Sequence, residues 1–292
     1  MDIESRIKLI VKCILGRPIY PPVTTHEYHI FKDDITSLAG KKIIVTGGTG
    51  AIGSAICYEL AAMGAIVGVG GRNDNKIKDT IDLIKRGSPT VAQNLTPIIL
   101  DVNNDNQVET SIKYFADNYG QLDVLVNNAG GQSGRVGRYS SHLFEQDIDQ
   151  IDLILDTNLR GVILCSRIAC QIMSKQKFGH IISMSSVIGI NGKAGFSEYA
   201  AAKAGIIGFS KSLALEMAKY NVRVNCISPG SVNQISFDGG SDVSHSILNP
   251  LHRAGYTKEV ADCVTFLIKN DFVDGQNIII DGGRSIGLYG DN

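Results

Sequence analysis

The sequence predicts an α/β fold, a doubly wound sandwich around a seven-stranded parallel sheet, on three observations. From Lys41 onward, short β-branched runs alternate with longer stretches of helical periodicity. Several of the short runs lack polar alternation, as strands covered on both faces should. The first run ends in glycines and passes straight into a helical stretch.

The candidate strands, in order, are Ile43 to Thr46, Ile66 to Gly70, Pro97 to Leu100, Asp123 to Val126, His180 to Met184, Val222 to Ile227 and Asn277 to Ile280. Helical stretches such as Gly53 to Met63, Asp149 to Ser174, Ser197 to Tyr220 and Lys258 to Lys269 lie among them. No repeat, low-complexity tract or linker interrupts the alternation. Residues 41–292 therefore read as one domain, and residues 1–40 as an N-terminal extension.

That extension begins MDIESRIKLIVKCILGR, with Ile3, Ile7, Ile10 and Ile14 at helical spacing and basic residues beside them. Asp2 and Glu4 argue against a secretory leader, and the uncharged run is far short of the roughly 20 residues that cross a bilayer. Packing against the body of the protein or a second subunit is the expectation, rather than a membrane span or a membrane surface.

At 292 residues, 43% hydrophobic and 20% charged, the chain can bury a core without staples. Lys and Arg number 28 against 29 Asp and Glu, so no cationic excess exists to hold a nucleic acid or an acidic membrane. Six scattered cysteines with no CxxC pair predict reduced, buried thiols in a cytoplasmic protein. His26 and His29 have no second ligand pair nearby in sequence, so no metal site is expected.

The segment KKIIVTGGTGAIGSAICYELAAMGA places Gly47, Gly50 and Gly53 where a strand turns into a helix. Glycines there permit a tight turn and bring backbone N–H groups against a pyrophosphate at the helix N-terminus. This is the phosphate-binding turn of a Rossmann-type fold, and its place in a βαβ unit gives it specificity that the glycines alone lack. The second strand ends VGVGGRN, without the acidic residue that would accept a ribose 2′-hydroxyl. Arg72 offers instead a forked cation for a 2′-phosphate, which favours NADP(H) over NAD(H).

In SEYAAAKAGIIGFS, Tyr199 and Lys203 stand four apart on one helix face. A phenol titrates near about 10, and an adjacent ammonium stabilises the phenolate, which makes the tyrosine a usable acid/base. Taken alone, such a pair is also a common accident of surface helices.

The glycine run TGGTGAIG, NNAG at Asn127 to Gly130, Asn158, Ser186 13 residues before Tyr199, YAAAK and SPG occur in the order of the short-chain dehydrogenase/reductase family, which the chain resembles from Leu38 to Gly283. The stretch from Tyr199 through Leu213 is especially similar to bacterial 3-oxoacyl-carrier-protein reductases. The resemblance implies that Tyr199 exchanges a proton with the substrate oxygen while hydride moves to or from the nicotinamide. It implies that Lys203 lowers the tyrosine's pKa and holds the nicotinamide ribose, that Ser186 binds the substrate oxygen, and that Asn158 holds a water linking Lys203 to solvent. It further implies cofactor contacts at Gly47, Thr49, Gly50, Ile52, Gly53, Arg72, Asn73, Asp101, Val102, Asn127, Ala129, Gly130, Tyr199, Lys203, Pro229, Gly230 and Val232. Within that set Asp101 faces the adenine, while Pro229 and Gly230 flank the nicotinamide. The family also implies a homodimer or homotetramer packed through Asp149 to Ser174 and Ser197 to Tyr220.

The chain departs from the family pattern in places. Ala51 stands at the middle of the glycine turn, where Gly50 also satisfies the TGxxGxxG spacing of the longer epimerase and dehydratase branch; NNAG and the terminal IIIDGG argue for the shorter one. Gln234 stands where a cofactor-contacting threonine is usual. GGQSGRVGRYSSHLF is long, and QISFDGGSDVSHS is polar where an acyl pocket would be apolar. The expected function is interconversion of a ketone and a secondary alcohol on a small polar or sugar-like molecule with NADP(H). The alternatives are a 3-oxoacyl-type reductase, an epimerase or dehydratase with retained NAD, and a non-catalytic cofactor-binding regulator.

Overall fold

The computed structural model describes residues 37–131, 142–233 and 249–286. In chain order these residues form β1 (Lys42–Thr46), α1 (Ala51–Ala62), β2 (Ile66–Gly71), α2 (Asp74–Gly87), α3 (Pro89–Ala92), β3 (Leu95–Ile99), α4 (Asp105–Tyr119) and β4 (Val124–Asn127). There follow α5 (Ile148–Leu155), a π-turn (Asp156–Arg160), α6 (Gly161–Gln176), β5 (Gly179–Met184), α7 (Ile188–Asn191), α8 (Ser197–Met217) and β6 (Val222–Pro229). The last elements are β7 (Val232–Asn233), β8 (Gly255–Tyr256), α9 (Thr257–Lys269) and β9 (Asn277–Ile280).

Seven strands pair in the order β3-β2-β1-β4-β5-β6-β9. Every pairing is parallel, as the sequence predicts. Strand side chains alternate faces, and here both faces are apolar: Ile43 and Val45 of β1 join one core, Ile44 the other. Val124 and Val126 likewise oppose Leu125. One core is closed by α1 and α9 through Ile56, Leu60, Val260, Val264 and Leu267. The other is closed by α4, α6 and α8 through Ile112, Phe115, Ile168, Met173 and Ala214. Each of the fully buried isoleucines contributes roughly 1.5–3 kcal/mol.

Local sequence sets the helix ends. Asn73 and Asn104 cap α2 and α4 by accepting hydrogen bonds from the N–H groups of Lys76 and Gln107. Helix α4 stops at Gly120, which adopts a left-handed conformation with φ 77°.

Three features differ from expectation. Strand β3 starts at Leu95 rather than Pro97, because Leu95 pairs with Val67 and because a proline is tolerated on the edge strand that β3 forms. Strand β6 runs on to Pro229, which pairs with Ile280. The stretch predicted as one helix over Asp149 to Ser174 is instead two helices joined by the π-turn. The sheet order reverses between β1 and β4, and the carboxyl ends of strands at such a switch point form the crevice where ligands bind in folds of this kind.

Candidate active site

The glycine turn lies at that crevice. Gly47 has φ 62°, and a Cβ on it would stand 2.8 Å from Ala129 Cα. A Cβ on Gly53 would stand 2.2 Å from the Gly47 carbonyl oxygen, so neither position admits a side chain. Gly50 is different: its Cβ would meet that oxygen at an ordinary 3.5 Å. Gly50 is also the N-cap of α1, which has neither a side-chain cap nor an acidic residue in its first turn, unlike α2 and α4. Its leading N–H groups and the positive end of its dipole are thus left for an anion. The turn fits a dinucleotide pyrophosphate, with Thr49 and Ile52 beside it and the Thr49 methyl close to Gly71 at the end of β2.

The turn is pinned from β4 by a residue that sequence reasoning missed. Asn128 Nδ2 donates to the carbonyl oxygens of Thr46 and Gly47 at 3.2 and 3.0 Å. Thr46 Oγ1 accepts in return from the backbone N–H groups of Asn128 and Ala129, each at 3.0 Å. Asn127 is buried and donates to the hydroxyls of Ser166 and Ser183, tying β4 to α6 and β5. Its position inside NNAG was the available signal for Asn128, overshadowed by its neighbour.

At the adenosine side, Arg72 is exposed at the end of β2 and Asn73 serves as the α2 cap. Asp101 Oδ1 accepts from the Asn103 backbone N–H at 3.0 Å. Val102 is buried against Gly161, whose Cβ would stand 2.8 Å from it.

Asn158, Ser186 and the pair Tyr199 and Lys203 converge from three separate stretches of chain, all four side chains buried. Asn158 belongs to the π-turn: its Nδ2 donates to the Ile154 carbonyl at 3.0 Å, one turn back, and to Gly131 O at 3.0 Å, while its Oδ1 accepts from Gly131 N–H at 2.8 Å. An inserted side chain of this kind is what widens a helix. Gly130, with φ 144°, passes so near that its Cβ would lie 2.6 Å from Asn158 Oδ1 and 3.4 Å from Lys203 Nζ.

Lys203 Nζ donates to the Met184 carbonyl at 2.9 Å and lies 5.6 Å from the Tyr199 ring centroid. Ser185, unremarked in the sequence, fastens that helix to β5 by donating from Oγ to the Lys203 carbonyl at 2.7 Å. Ser186 Oγ accepts from Ile188 N–H at 3.2 Å. Burial pushes the Lys203 ammonium down to about 7. Burial also pushes the Tyr199 phenol above its ordinary value, and a hydrogen bond with Ser186 pulls it back. The net direction for Tyr199 is thus upward, burial outweighing the Ser186 hydrogen bond.

The carboxyl end of β6 completes the rim. Val187 N–H donates to Pro229 O at 3.1 Å, which sets Pro229 beside the Ser186 turn. Gly230 N–H donates to Ile280 O at 2.8 Å, and Val232 pairs with Gly255 in a two-stranded ribbon absent from the sequence-based expectation. Gln234, QISFDGGSDVSHS and most of GGQSGRVGRYSSHLF lie outside the described residues.

A family model for short chain dehydrogenases matches residues 41–237. The chain belongs to the short-chain dehydrogenase family. Two similar members are a 3-oxoacyl-[acyl-carrier-protein] reductase of Chlamydia muridarum, 35% identical over 85% of this chain and 98% of its own, and carbonyl reductase family member 4 of Xenopus tropicalis, 34% identical over 84% and 98%. Among solved structures, "ElxO with NADP Bound" is 29% identical with a TM-score of 0.74 over 84% of this chain and 98% of its own. Levodione reductase is 26% identical, with a TM-score of 0.76 over 86% and 99%. The chain is thus an NAD(P)-dependent oxidoreductase of this family, acting on a C=O or CH–OH group of a small molecule. Among the described residues no helix is long and apolar enough to cross a membrane, and no group of three His, Cys, Asp or Glu is placed to hold a metal ion.

Proposed function

We propose that the protein reduces a ketone, or oxidises the corresponding secondary alcohol, with NADP(H), using Asn158, Ser186, Tyr199 and Lys203 as its proton relay. The observation that carries this reading is the buried Lys203 ammonium, fixed on Met184 O and set against the ring of a tyrosine that is itself bonded to Ser186. When bound, the nicotinamide supplies or accepts the hydride. Tyr199 gives the phenolic proton to the carbonyl oxygen in reduction and takes it back in oxidation. Ser186 donates a hydrogen bond to that oxygen as charge builds on it. Lys203 offsets the phenolate left behind, and Asn158 holds the polar backbone beside it in register.

The cofactor's pyrophosphate is held by the turn from Gly47 through Thr49, Gly50, Ile52 and Gly53, its adenosine by Arg72, Asn73, Asp101 and Val102. Asn127, Ala129, Gly130, Pro229, Gly230 and Val232 line the nicotinamide side. The preference for NADP(H) rests on Arg72 at the end of β2, with no acidic residue there. Residues 41–292 act as the single catalytic domain, with 1–40 as an extension. A homodimer or homotetramer is supported by apolar side chains left exposed on the two long helical stretches: Leu153, Ile163 and, 80% exposed, Leu215. Cys57, Cys165 and Cys226 are buried and unbridged, in keeping with a cytoplasmic location.

A small polar or sugar-like ketone is the favoured substrate, from the polar loop sequences after NNAG and after Gly230. A second reading, 3-oxoacyl reduction, is favoured by the relatives that carry that name. Oxidation of NADPH by a panel of polar ketones and 3-oxoacyl thioesters separates the two, since turnover of thioesters alone would overturn the first.

A further inference from the structure

The strand β9 is followed by the turn Asp281–Ile286, which reaches both sides of the crevice rim. Asp281 organises it, its Oδ1 and Oδ2 accepting from Gly283 and Ser285 N–H at 2.9 and 2.6 Å. On one side, Asn191 Nδ2 donates to Ser285 O at 3.3 Å, fastening the turn to the short helix after Ser186. On the other, Arg284 Nη1 donates to Ser231 Oγ at 2.8 Å, one residue past Pro229 and Gly230. Gly230 abuts the base of the turn, since a Cβ on it would stand 2.8 Å from Asp281 Cβ. One turn therefore bridges the segment carrying Ser186 and the segment carrying Gly230, and the bridge on the Gly230 side passes through a charged, directional hydrogen bond.

We infer that Arg284 is a positioning residue: through Ser231 it sets the Pro229–Gly230 segment against Ser186, and so sets the grip on the nicotinamide end of the cofactor. This rests on the dinucleotide reading proposed above. Arg284 takes no part in proton transfer. Its loss should weaken binding of the whole cofactor and leave binding of the adenosine half untouched, because Arg72 and Asp101 lie at the far end of the sheet.

The test is titration of the full-length protein with NADPH and, separately, with the 2′-phospho-AMP half alone, for wild type, Arg284→Gln, Arg284→Lys and Ser231→Ala. Arg284→Gln and Ser231→Ala are each expected to raise the NADPH dissociation constant about fivefold to tenfold with that of 2′-phospho-AMP unchanged. The Arg284→Lys variant, which keeps a donor, should recover part of the loss. Among turnover readings, KM for NADPH should rise while the pH at which kcat changes stays put. Unchanged NADPH affinity, or equal weakening of both ligands, would overturn the inference. Should Arg284→Gln fail to fold, Ser231→Ala removes one hydroxyl and carries the same comparison. A wild-type protein that binds neither ligand overturns the dinucleotide reading itself, and this inference with it, which is distinct from a variant that loses no selectivity.

Discussion

Asn158 Nδ2 takes up the carbonyl oxygen of Ile154, 3.0 Å away and one turn back in the helix, and the chain widens into a π-turn around that bond. The same amide clasps both the N–H and the C=O of Gly131. It thereby joins the loop leaving β4 to the helix facing Tyr199 and Lys203. Replacement by alanine leaves buried backbone groups without partners, so Asn158→Ala should lose about 1–3 kcal/mol of stability in urea unfolding. It should also lower kcat by roughly tenfold or more. A variant that is less stable yet turns over like wild type would remove Asn158 from the relay and leave it as a structural clasp.

The glycines of the turn divide into two kinds. Gly53→Ala drives a Cβ into the Gly47 carbonyl and should lower the melting temperature of the protein even without cofactor. Gly50→Ala meets only ordinary contact within the chain and should melt like wild type, while the added methyl at the helix N-terminus weakens NADPH binding. Thermal melts with and without NADPH check both; equal behaviour of the two variants contradicts the assignment.

His180 is buried on β5 and its ring nitrogen Nε2 lies 3.0 Å from Asn225 Nδ2 and 3.4 Å from Arg223 Nη1. Burial, and then the Arg223 charge, hold its pKa well below 6.5. The unfolded chain therefore takes up a proton that the folded protein refuses. The contribution is fully present above about pH 6.5 and is lost as pH falls from there toward the depressed folded value. The His180→Gln variant should show a shallower loss of unfolding free energy between about pH 7 and pH 5, by up to about 1.4 kcal/mol per pH unit. Parallel pH curves for the two proteins would refute this.

In the proposed cofactor mode, Arg72 meets the 2′-phosphate. An Arg72→Ala protein should bind NADPH about tenfold more weakly while its affinity for NADH stays the same, as fluorescence titration would read. Equal loss for both nucleotides would make Arg72 a general phosphate contact.

The sheet was legible because its strands carry apolar side chains on both faces: runs such as IIV in β1 and VLV in β4 serve two cores at once, as parallel strands inside a sandwich do. Tyr199 and Ser186 were legible only in company, through their order along the chain with Asn158 and the glycine turn. The π-turn was hidden because its cause, the Asn158 amide competing for the Ile154 carbonyl, depends on Gly131 arriving from another part of the chain. Asn128, Ser185 and Arg284 escaped notice for the same reason, since each acts on backbone or side chains brought near only by the parallel strand order. Helical spacing reveals the charge beside Tyr199 but not the burial of its phenol, which pushes that group upward in the folded protein.

The central claim is that Tyr199 transfers the proton. Turnover of NADPH with a carbonyl substrate, compared between wild type and Tyr199→Phe alongside the NADPH dissociation constant of each, tests it most directly. The account predicts that the variant binds NADPH like wild type and loses about 10²–10⁴-fold in kcat; equal turnover by the two proteins would contradict it.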